Sequence, residues 1–162
     1  MLLSVESTLY VVDNLEKIDQ RISRGPFTHL AASPNGKNLA LLSHSGLLWV
    51  VSTDFQRSLA EFNTKEVAGV DGPIRQVQWC ANDAVIVSWE GLILLVGPFG
   101  DTLQSASSTT LMFNGPVVNF SRRFFYSGSP CAITELDGVR IVGSDVCDFI
   151  QKVPGTHCDR QW

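Results

Sequence analysis

Histidine is scarce in this sequence, three residues among 162, and cysteine is hardly more frequent at four, with no Cys-x-x-Cys pair. Too few imidazoles and thiols remain for a clustered metal site or a stapled secreted scaffold. Basic residues are also in deficit, 12 against 16 acidic ones, for a net charge of −4. That sign repels phosphate backbones, so nucleic acid is excluded as the expected partner. Long apolar runs are missing: Leu92-Ile93-Leu94-Leu95-Val96 is among the longest, far below the roughly 18 residues that suggest a membrane span. Met1-Leu2-Leu3-Ser4-Val5-Glu6 turns polar too early for a secretory signal, and a cytoplasmic chain with reduced thiols is expected. Charged residues, at 17%, fall below the roughly 25% of ordinary soluble domains, so much of the chain is expected to be buried.

The motifs of common chemistries are absent as well. There is no Gly-x-Ser-x-Gly elbow, no Gly-x-Gly-x-x-Gly fingerprint and no phosphate-binding Gly-x-x-x-x-Gly-Lys loop. His29 falls in an expected strand and His44 in the turn Ser43-His44-Ser45-Gly46, where a polar ring in a hairpin explains it without catalysis. Cys147, His157 and Cys158 fit no standard zinc spacing, and Cys80 and Cys131 read as small buried hydrophobes on strands. No enzyme activity, metal, cofactor or small-molecule substrate is expected.

What the sequence does have is a repeat. Leu47-Leu48-Trp49-Val50-Val51 and Leu92-Ile93-Leu94-Leu95-Val96 lie 45 residues apart, and so do Leu39-Ala40-Leu41-Leu42 and Ala84-Val85-Ile86-Val87. The turns Pro34-Asn35-Gly36 and Ala81-Asn82-Asp83 precede the second pair. Adding 28–33 and 74–80 before those turns, and 58–62 and 102–106 after the third strands, makes two units of four strands each. Their second strands are apolar without alternation, as in strands covered on both faces. Four-stranded units at ~40–45 residues are the signature of propeller blades. The fold class expected is therefore all-β, a partial β-propeller of WD-like four-stranded antiparallel blades, with a β-sandwich as the competing architecture. Segments 2–5 and 9–12 read as part of a preceding blade. Segments 130–136, 139–142 and 149–153 read as part of a following one, with Asp137-Gly138 as its hairpin turn. Residues 1–154 form the expected partial propeller and 155–162 an atypical, disordered tail. Two blades and portions of two more fall short of the four to eight that close a ring, so a chain of this length reads as a fragment of a larger propeller.

Trp79 and Trp89 are expected between blades. Arg122, Arg123, Phe124, Phe125 and Tyr126 are the candidate protein-interface residues, since aromatics and Arg are enriched at such surfaces. A loop edge packed on a blade explains them equally well.

Trp79-Cys80-Ala81-Asn82-Asp83-Ala84-Val85-Ile86-Val87-Ser88-Trp89-Glu90 and Glu135-Leu136-Asp137-Gly138-Val139-Arg140-Ile141 closely resemble the amino-terminal region of the vacuolar protein sorting-associated protein sixteen family. Leu9-Tyr10-Val11-Val12-Asp13 and Phe149-Ile150-Gln151-Lys152-Val153-Pro154 support the match more weakly, in the family's order. The resemblance implies a non-catalytic scaffold or interaction fragment of a class C tethering subunit of the HOPS and CORVET complexes. Such a subunit acts in vesicle tethering and fusion in endosome-to-vacuole or lysosome transport. Implied partners are other class C tethering subunits, and implied membrane contact is indirect, at late endosomes and vacuoles or lysosomes. The SM-type SNARE chaperone binds the full-length family through an α-solenoid without counterpart in these residues, so its binding does not carry over. A WD-like propeller scaffold of another multiprotein assembly is the alternative.

Overall fold

The computed structural model describes residues 1–12, 17–19, 22, 24–67, 69–70, 72–97 and 121–151. These residues form fourteen strands in four antiparallel sheets. The first sheet contains β1 (Leu2–Val5), β2 (Thr8–Val12) and β3 (Lys17–Asp19). The second runs β4 (Phe27–Ala32), β5 (Asn38–Ser43), β6 (Leu47–Ser52), β7 (Ser58–Asn63). In the third, β8 (Gln76–Cys80), β9 (Ala84–Ser88) and β10 (Leu92–Val96) are followed by β11 (Ser121–Phe125), and the fourth comprises β12 (Cys131–Thr134), β13 (Gly138–Val142) and β14 (Cys147–Gln151).

Each sheet is a meander in which sequential strands pair, and consecutive sheets stack face to face, the arrangement of propeller blades rather than of a two-sheet sandwich. Side chains alternate across a strand, and in the two central sheets both sets are apolar. Leu39, Leu41, Trp49 and Val51 pack with Leu9 of the first sheet, while Ala40, Leu42, Leu48 and Val50 pack with Val77, Trp79, Val85 and Val87 of the third. The other face of the third sheet sets Ala84, Ile86 and Ile93 against Ala132, Val139, Ile141 and Ile150. All five residues of β9 are buried, which is why its sequence shows no alternation. A fully buried Leu, Ile or Val contributes about 1.5–3 kcal/mol relative to exposure, so the three inter-sheet layers are the core.

Polar contacts between the innermost strands set how consecutive sheets meet. The Trp79 indole Nε1 donates to the Ala31 carbonyl at 2.9 Å, joining β8 to β4. Gln76 accepts from the Ala132 backbone N–H at 2.9 Å, and Gln78 from the Thr134 hydroxyl at 3.1 Å, joining β8 to β12. The turns meet too: the Asn82 side-chain oxygen accepts from the Asn35 N–H at 2.8 Å.

Three expectations need correction. The outer strand of the third sheet is β11, paired from Leu92↔Phe125 to Val96↔Ser121; the expected strand at 102–106 lies outside the described residues. β10 therefore meets its neighbour after a long excursion rather than through a short turn. Cys80 is buried, its thiol donating to the Ile150 carbonyl at 3.4 Å, but Cys131 is exposed. Its Sγ accepts from the Gln76 side-chain amide of β8 at 3.6 Å, and alternation along β12 hands the buried position to Ala132 instead. The β12–β13 turn is formed by Glu135, Leu136 and Asp137, closed by the Glu135 N–H to the Gly138 carbonyl at 3.0 Å. Gly138 itself begins β13. The expected tail at 155–162 also lies outside the described residues.

Gly138 is required by proximity, not by a left-handed backbone. A Cβ there would sit 2.5 Å from the Ile150 carbonyl oxygen and 2.8 Å from the Phe149 ring. Gly138→Ala is expected to destabilise the fold by about 1–3 kcal/mol, the usual cost of overpacking. Urea unfolding followed by tryptophan fluorescence measures it.

Candidate interaction surfaces

The five interface candidates occupy the outer edge strand of the third sheet and the residue that follows it, and alternation divides them. Phe124 and Tyr126 pack against the core layer shared with the fourth sheet. Arg122, Arg123 and Phe125 are exposed, with 76% of Phe125 in water. Along β11, Arg123 and Phe125 share one face and Arg122 lies on the other with Phe124 and Tyr126, so three of the five candidates are exposed.

Tyr126 also bridges sheets, its hydroxyl facing the Asp148 carboxylate of β14. Burial, then the charge and hydrogen bonding of Asp148, raise its pKa above the ordinary value of 10.0. The protonated phenol is the form favoured on folding, so its contribution is present below pH 10 and is lost as pH rises through the raised value. The stability difference between the native chain and Tyr126→Phe should shrink between pH 8 and pH 11, as read by denaturant titration at each pH.

Two further surfaces lie outside those five residues. The outward faces of the terminal sheets expose apolar side chains: Leu3 and Val5 on the first, Ile133, Val142 and Phe149 on the fourth. On the fourth, Arg140 lies 5.1 Å over the Phe149 ring and donates to Glu135 at 2.5 Å and 3.3 Å. The hydrogen bond to Glu135 first, then one to Cys147 and the Glu135 charge, raise its pKa further above the ordinary guanidinium value.

The other is a cavity of about 550 Å³ where the second and third sheets meet at one end. His29 of β4, His44 of the β5–β6 turn, Lys65 and Trp89 line it together with apolar side chains. Sequence spacing separates these four into unrelated segments, and only the stacking of the sheets unites them. Trp79 and Trp89 are both buried between blades, as expected.

Among the described residues, no group of three His, Cys, Asp or Glu side chains could hold a metal ion, and no helix is long and apolar enough to cross a membrane. Cys147 is exposed on β14, and its suggested companions His157 and Cys158 lie outside the described residues.

Comparison with known proteins places the chain in a family. A family model described as "Vps16, N-terminal region" matches residues 1–159. The chain belongs to the Vps16 N-terminal family. It is 31% identical over 149 residues, 92% of its length, to the probable vacuolar protein sorting-associated protein 16 homolog of Schizosaccharomyces pombe. It is 28% identical over 80% of its length to Protein VACUOLELESS1 of Arabidopsis thaliana, and 25% identical over 97% to the Vps16 homolog of Dictyostelium discoideum. The matches span 14%, 12% and 17% of those relatives, so the chain covers only a small part of the length of the relatives it matches.

Proposed function

We propose that this chain is a propeller segment of a class C tethering subunit, a non-catalytic scaffold in vacuolar protein sorting. In this reading it serves vesicle tethering and fusion on the route from endosome to vacuole or lysosome, within complexes of the HOPS and CORVET type. The observation that carries the reading is the Vps16 N-terminal family match over residues 1–159, to which relatives named for vacuolar protein sorting add support. The geometry supports it as well: stacked sheets present exposed strand edges and apolar faces, which act through shape and burial rather than bond chemistry. Arg122, Arg123 and Phe125 then contact a neighbouring class C subunit, while Phe124 and Tyr126 hold the strand in place. Association with late endosomal and vacuolar membranes runs through those partners, and the location is the cytoplasmic side. Residues 1–154 are the propeller part in this reading, with 155–162 outside it.

Tagged residues 1–162, expressed in cells beside a polypeptide extended to the length of the relatives, should both recover other class C subunits by mass spectrometry. The double variant Arg122→Glu/Phe125→Asp should reduce recovery by the short chain several-fold. Failure of the extended polypeptide to recover any class C subunit would overturn the reading.

A further inference from the structure

We draw no further inference here: the strongest candidate, the exposed apolar patch of Ile133, Val142 and Phe149 on the fourth sheet, is an unpartnered face, and nothing in the structure shows what covers it.

Discussion

Sheets that carry apolar residues on both faces must be covered on both faces, and the rest of this structure follows from that demand. β5, β6, β9 and β10 have almost no side that can face water. A two-sheet sandwich would leave one face of each central sheet in solvent, whereas a stack covers both. The inner-strand hydrogen bonds from Trp79, Gln76 and Gln78 then set the register between neighbours. They stabilise modestly as pairs, but each would cost more if left unmade in a buried junction.

The same constraint generates the surfaces. Among the described residues, the first and fourth sheets carry exposed apolar groups such as Val5 and Ile133. A stack also has junctions that part toward the rim, where turns rather than strands meet, and the cavity lined by Lys65, His44 and Trp89 lies at such a place. Exposed apolar and basic side chains are therefore distributed over strand edges, outer faces and sheet junctions.

The repeat was legible because each central unit obeys local rules: turn residues at Pro34-Asn35-Gly36, an apolar second strand and a third strand displaced by a fixed offset. The stacked partner of each sheet was legible only as a requirement. β11 was missed because its pairing with β10 spans a long stretch of chain, and loop-closure cost grows too slowly with length to favour a near segment strongly. Cys131 was assigned to the core because strand membership was readable while the choice of face was not; a shift of one residue exchanges the faces of a strand. Gly138 was recognised as a turn residue, yet its need arises from the Ile150 carbonyl on β14, a contact no local pattern encodes. Arg122 to Tyr126 stand together in the sequence, and only the pairing of β11 divides them into half-buried and exposed positions.

The four sheets are held by mutual face-to-face burial in chain order. Amide hydrogen exchange resolved by residue is the sharpest check, because protection reports the opening of each cooperative unit. Exchange should be slowest in β5, β6, β9 and β10, intermediate in β2 and β13, and faster in the edge strands β1 and β14. Equal protection of all four sheets, or central strands exchanging as fast as β1 and β14, would contradict it.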